Sequence, residues 1–281
     1  MITLPGVTHH RARVNGVELH YVEQGKGPLL LLLHGFPEFW WSWRAQIGPW
    51  AEHYRVVAVD MRGYNESEKP AAGYDCATLA SDIAALIRHL GGGPCRLVGH
   101  DWGGIVAYQV AMDHPETVQR LGILNAPHPD AWIKGWLEHP EQQRKAYYVF
   151  FNLLPDLPEE LYRKAFATGT VRLAKANSPD EVAVYREAFE QPGAATATVN
   201  YYRELARDTA RRRHVKPKRI TCPVRVLWGA RDIALEPIMN DYAREWIDQM
   251  EVTYFPDSFH WIQKEQAEAV TSMMLEFLRR P

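Results

Sequence analysis

Asp101 sits between glycines in "GHDWGG" (Gly99–Gly104), after the apolar run Cys95-Arg96-Leu97-Val98 and before "IVAYQVAM", which has helical spacing. A strand, a tight turn and a helix with one reactive residue at the turn form a nucleophile elbow, where Ser is usual. A carboxylate in that place is anionic at neutral pH and needs no base in order to attack. On a carbonyl it would give an anhydride-like intermediate, whereas on a saturated carbon it gives a stable alkyl ester. The residue type therefore points to displacement at an sp³ C–O or C–halogen bond, followed by hydrolysis of the ester.

Ester hydrolysis calls for a base, and an elbow predicts its partners in the order nucleophile, acid, histidine. Asp232 follows the strand-like "PVRVLWGAR" and His260 follows "VTYFPDSF". An Asp can orient the imidazole and stabilise its charged form, so that His260 activates water. Taken alone, Asp232 also reads as a helix N-cap ahead of "EPIMNDYAREW", and His260 as a packed surface residue; their joint order favours the triad. Two oxyanion donors are expected, the N–H of Trp102 and that of Phe36 in "HGFPE".

These residues need a scaffold that presents strand ends. Strand-like runs fall at 17–23, 28–35, 54–60, 95–101, 120–126, 222–229 and 251–256, several of them continuously apolar. Helical patterns fall at about 43–52, 78–90, 103–113, 237–249 and 264–279. The alternation predicts an α/β fold with a mostly parallel sheet flanked by helices, and such sheets bind ligands at the carboxyl ends of their strands. Between 128 and 218 the alternation stops, and helical pieces bounded by Pro or Gly take over. The expected domains are thus a core at 1–127 and 219–281 with a helical cap at 128–218. "GGGP" (91–94) reads as a helix-to-strand turn, without the order a dinucleotide needs. The run Arg211-Arg212-Arg213, with Lys216, Lys218 and Arg219, reads as a solvated helix end and return linker.

A net charge of −2 gives no reason to expect nucleic acid or an anionic membrane as partner. The start, "MITLPGVTHHRARVNG", lacks the layout of a signal peptide, and "PLLLLLHGF" is too short to span a bilayer. Cys76, Cys95 and Cys222 form no CxxC pair, which suggests reduced thiols and a cytoplasmic address. Although the chain has 12 His, there is no HExxH or close Cys/His cluster, so no metal and no cofactor is expected.

The segments "HGFPEFWWSWRAQ", "DMRGYNESEKP", "GHDWGG", "NAPHP", "GARD" and "SFHW" together resemble the α/β-hydrolase-fold epoxide hydrolases, over essentially the whole chain. Asn65 departs from the commoner "RGYGxS", with no expected effect on catalysis. The resemblance implies a cap inserted after the sixth strand and a cis Phe36-Pro37 peptide. It also implies two cap tyrosines, Tyr147 and Tyr202, that protonate the opening epoxide oxygen, with Tyr148 and Tyr201 the neighbouring registers. Phe36, Trp102, Tyr147 and Tyr202 would then also touch substrate, a small apolar or aromatic epoxide. The first loop and the cap are rich in Trp40, Trp41, Trp132, Trp136, Phe150 and Phe151; most of these read as core, and those facing Asp101 would make an apolar cavity.

The rivals are a haloalkane or haloacid dehalogenase of the same fold and a non-catalytic ligand receptor on this scaffold. The related fluoroacetate dehalogenases carry an Arg after the nucleophile and a His-Trp pair in the cap, where this chain has Trp102 and Tyr148-Val149. They place the triad acid where this chain has Asn125. Haloalkane dehalogenases commonly have Asn where Phe36 stands. A complete triad argues against the receptor. The oligomeric state is left open, a homodimer included.

Overall fold

The computed structural model describes residues 2–168, 178–212 and 214–280. Residues 169–177 of the expected helical cap and Arg213 of the basic run lie outside the described residues.

Eight strands form one sheet in the order β1-β2-β4-β3-β5-β6-β7-β8. They are β1 Thr8–Val14, β2 Val17–Gln24, β3 Leu29–Leu33, β4 Arg55–Val59, β5 Cys95–His100, β6 Val118–Leu124, β7 Val224–Gly229 and β8 Met250–Phe255. β1 and β2 are antiparallel, and β2 joins β4 antiparallel. All other pairs are parallel, as the alternation predicts. β3, "LLLLL", and β4, "RVVAV", are buried along nearly their full length because helices cover both faces. The prediction omitted β1. Its residues "THHRARV" are mostly exposed on an edge strand, so no apolar run announces it.

Helices α1 Arg44–Ala51, α2 Cys76–His89 and α3 Trp102–Asp113 connect the parallel strands. Asp75 caps α2 by accepting from the Thr78 N–H at 2.9 Å. α3 is buried at nearly every position, its apolar residues packed among those of the sheet and α2. The "GGGP" turn is present, with Gly91, Gly92 and Gly93 all at positive φ.

Between β6 and β7 lies a helical insertion: α4 Pro129–Glu138, α5 Pro140–Lys145, α6 Tyr147–Phe151, α7 Leu157–Ala167, α8 Pro179–Glu190 and α9 Ala194–Arg212. Pro140 and the non-helical turn at Ala146 break what reads in sequence as one long helix into α4, α5 and α6. After β7 come α10 Ile238–Ala243, α11 Ile262–Glu265 and α12 Ala267–Arg279. The predicted helix at 237–249 is shorter, because Ile247 turns extended and bridges to Ile220. That at 264–279 is split at Gln266, whose φ of −129° is not helical. No described helix is long and apolar enough to cross a membrane.

In the basic run, Arg212 pairs with Asp130, Arg211 with Asp208, Lys218 with Asp113 and Arg219 with Asp248. These cations meet acids of the same chain, as a solvated linker should.

Candidate active site

Asp101 follows β5 and precedes the first residue of α3, with φ 50° and ψ −122°. A non-glycine residue there is strained, and the surroundings must hold it. They do so by close backbone contact. A Cβ on Gly103 would stand 2.3 Å from the Leu33 carbonyl oxygen, and one on Gly99 would stand 2.4 Å from that of Gly103. A Cβ on Gly35 would meet the Asp101 Cβ at 2.5 Å. The glycines of "HGF" and "GHDWGG" thus let the turn seat against the end of β3.

The Phe36 N–H donates to Asp101 Oδ1 at 2.7 Å, and the Phe36-Pro37 peptide is cis, as the resemblance implied. Trp102 begins α3, so its N–H has no helical carbonyl before it and is open to an anion. On the other side, His260 Nε2 lies 3.4 Å from Asp101 Oδ2, and Nδ1 lies 2.7 Å from Asp232 Oδ2. Asp101, His260 and Asp232 therefore stand in line at the ends of β5, β8 and β7.

Asp232 is not the N-cap of the helix that follows, because α10 starts only at Ile238 with Pro237 in the cap position. Its Oδ1 accepts from the N–H groups of Ala234 and Leu235, at 2.8 and 3.1 Å, which caps the following turn. Its Oδ2 accepts from His260 and from Asn125 Nδ2, both at 2.7 Å. Burial alone would raise its pKa; the charge and hydrogen bond of His260, with those of Ala234 and Asn125, reverse this and lower it. Burial works downward on His260, but Asp232 and then Asp101 overcome it and raise the pKa well above the ordinary value.

Asn125 is fixed by Gly229, which donates its N–H to Oδ1 at 2.9 Å. The sequence marked Asn125 only as the place of a different family's acid; here it holds the acid of this one. A second buried group lies behind the histidine. His100 Nε2 is 2.9 Å from the His260 carbonyl oxygen, which only accepts, so this nitrogen carries the proton. The other face of His100 meets Glu38 at 3.1 Å, and Glu38 lies 2.5 Å from Lys264 Nζ. Burial opposes the Glu38 charge, and Lys264 with His100 more than compensates, leaving its pKa below the carboxylate range. His100 and Glu38 flank Asp101 and Phe36 in the quoted motifs, but nothing local in the sequence says that they meet.

A cavity of about 320 Å³ opens over Asp101 and His260, lined by Phe36, Tyr148, Tyr162, Phe166, Tyr202 and Trp261 among others. Tyr202 projects from α9, 6% exposed, with its ring 5.3 Å from that of Phe36. Tyr201 faces elsewhere and donates its hydroxyl to the Arg62 carbonyl at 2.7 Å, so Tyr202 is the α9 tyrosine at the cavity. On α6 both neighbouring registers reach the cavity. Tyr147 borders the cavity but is 72% exposed, whereas the Tyr148 ring packs 5.8 Å from Tyr202. Burial first, and then the Asp101 charge, raise the pKa of both Tyr148 and Tyr202 well above the ordinary value. Both hydroxyls thus stay protonated beside the nucleophile.

Two further expectations concern the cavity walls. The Trp102 ring is buried edge-on against Tyr201 and Tyr202 and is not among the residues that line the cavity, so it packs behind Tyr202. None of Trp40, Trp41, Trp132, Trp136, Phe150 and Phe151 lines it either. Trp132, Trp136 and Phe150 border a separate groove of about 70 Å³, and Trp40 is core. The apolar walls come instead from Phe36, Phe166, Ile233 and Trp261.

Residues 28–267 match the model of the α/β-hydrolase fold family. Mouse epoxide hydrolase 4 is 35% identical, over 97% of this chain and 80% of the relative. The AB hydrolase superfamily protein YfhM of Bacillus subtilis is 35% identical, over 98% of this chain and 99% of its own. The crystal structure of a mutant epoxide hydrolase from Bacillus megaterium, complexed with its product (R)-3-[1]naphthyloxy-propane-1,2-diol, is similar with a TM-score of 0.88 and 31% identity. It covers 96% of this chain and 100% of that one. With an aspartate at its elbow and this likeness along nearly its whole length, the chain belongs to the α/β-hydrolase fold family and, within it, to the epoxide hydrolases.

Proposed function

We propose that this protein hydrolyses epoxides to vicinal diols through a covalent ester on Asp101. The observation that carries the reading is a carboxylate at the elbow with a histidine on one side and two protonated tyrosines, Tyr148 and Tyr202, beside it. Phe36 already holds Oδ1, so Oδ2 is the attacking atom. Its bond to an epoxide carbon forms as the C–O bond of the ring breaks, and the departing oxygen takes a proton from a tyrosine. Oδ1 becomes the ester carbonyl oxygen, and its growing charge in the second step falls to the N–H groups of Phe36 and Trp102. His260, oriented by Asp232, takes a proton from water as that water attacks the ester carbonyl carbon. On collapse the ester C–O bond breaks and the departing oxygen takes the proton from His260, which releases the diol, while the proton left on the new Asp101 carboxyl returns to the tyrosine by way of solvent.

The tyrosines favour this reading over dehalogenation. A halide leaves as a stable anion and wants only donors, whereas an alkoxide wants a proton. Among the described residues no Lys or Arg lines the cavity, which supports an uncharged substrate. In this reading residues 128–218 act as a cap over a core made of 1–127 and 219–281. Three free cysteines, two of them buried, support work in a reducing, cytoplasmic compartment.

The test is a single turnover in oxygen-18 water with enzyme in excess. The diol should carry mostly ordinary oxygen, and the label should appear in the peptide holding Asp101. Label passing directly into the diol would overturn the covalent step.

A further inference from the structure

One polar group in the cavity takes no part in the chemistry above. Tyr162 comes from α7, where Tyr162, Ala165 and Phe166 line the cavity from one helix face. Its ring packs edge-on against Phe36, with centroids 5.1 Å apart. The Phe36 N–H in turn donates to Asp101, so the Tyr162 ring packs against the residue that holds this carboxylate.

The direction of its proton follows from Asn152, which is fully buried after α6. Asn152 Nδ2 lies 2.9 Å from the Tyr148 carbonyl oxygen and 3.2 Å from Tyr162 Oη. A carbonyl oxygen only accepts, so this end of the amide must be the NH₂. Tyr162 Oη is therefore the acceptor in its bond with Asn152, and its own proton has no partner among the described residues. Burial raises the Tyr162 pKa further, which keeps that proton in place.

We infer that Tyr162 is a specificity-determining residue whose hydroxyl donates to an oxygen in the substituent of the epoxide, so that the preferred substrates are epoxides with an ether or carbonyl oxygen close to the ring. This rests on the hydrolase reading and deepens it. A donor held beside the apolar Phe36, Ala165 and Phe166 discriminates more than they do, because a substrate lacking the acceptor leaves the hydroxyl unpaired.

The test uses two substrates of equal length, butyl glycidyl ether and 1,2-epoxyoctane, which differ by an oxygen in place of a methylene. The quantity read is the ratio of their kcat/KM values, in the unaltered enzyme and in Tyr162→Phe. That ratio should fall by about 2-fold to 10-fold in the variant, the range one neutral hydrogen bond provides. Tyr162→Met, which also lacks the hydroxyl but fills the space differently, should lower it in the same direction and guards against a packing artefact of the first change. Turnover of both epoxides with a ratio unmoved by either substitution would overturn this inference alone. Turnover of neither by the unaltered enzyme would overturn the hydrolase reading, and this inference with it.

Discussion

Replacing Asp232 with Asn should trap the ester, for a reason written in its four hydrogen bonds. The carboxylate accepts from Ala234 and Leu235 N–H on Oδ1, and from His260 and Asn125 on Oδ2. An amide of the same shape has one acceptor oxygen, so its NH₂ must face one of these two pairs of donors. Facing the backbone pair, it would leave two N–H groups without acceptors, at about 1–3 kcal/mol each. Facing His260, it meets a ring that can move its proton from Nδ1 to Nε2 and accept instead, while Asn125 keeps Gly229 O at 3.3 Å. The second arrangement wins by about one to a few kcal/mol.

It also puts the proton on the nitrogen that must take one from water. Ester hydrolysis should then slow by about 10²–10⁴-fold. Ring opening, which uses Asp101 and the tyrosines, should persist. In a burst experiment Asp232→Asn should consume one equivalent of epoxide and slow sharply, its intact mass raised by one substrate molecule. His260→Gln should show the same adduct with slower release, and Asp101→Ala none. Sustained turnover by Asp232→Asn within tenfold of the unaltered enzyme, without an adduct, would refute the tautomer argument and the place of Asp232 in the triad.

Other outcomes follow from the same geometry. Tyr148→Phe and Tyr202→Phe should each slow ester formation in single-turnover kinetics by about 10²–10⁴-fold, while Tyr147→Phe should change it little; the reverse pattern for 147 and 148 would restore the register expected from the sequence. The His260 pKa is raised by Asp232 and then by Asp101, so Asp101→Asn, which removes the second charge, should lower it in an NMR titration. Alkylation of Asp101 removes that charge too, so the pH limb for ester hydrolysis should lie below the His260 pKa of the resting enzyme, with hydrolysis lost as pH falls through the limb. Glu38→Gln would strand the Lys264 cation in a buried site and should cost about 3–5 kcal/mol in denaturant unfolding.

The triad was legible because its members follow strands whose apolar runs mark them, and the elbow rule orders them along the chain. The α9 tyrosine was legible for a similar reason: a 19-residue helix has enough turns to show its buried face. α6 has five residues, too few for a period, and adjacent positions on a helix point about 100° apart. Choosing between Tyr147 and Tyr148 therefore needed the angle at which the short helix leaves Ala146. Asn125 and Asp232 lie 107 positions apart and meet only because β6 and β7 are neighbours in the sheet. Which aromatics wall the cavity was not legible, because composition says which residues are large but not which way they face.

The glycine contacts at the elbow divide the molecule into a part that tolerates replacement and a part that does not. Around Asp101, backbone meets backbone at Gly99 and Gly103 and Gly35 meets the Asp101 side chain itself, so that even a methyl group would collide. The chemistry is in that sense locked to one geometry, and altered activity gained there would come at the cost of the turn itself. Above it, the walls at Tyr162, Ala165, Phe166 and Ile233 are side chains on helices and a loop, free to change size without moving the nucleophile. A search for new selectivity, whether by evolution or in the laboratory, has its room in those upper positions, where a library can vary the epoxide accepted while the ester chemistry stays the same.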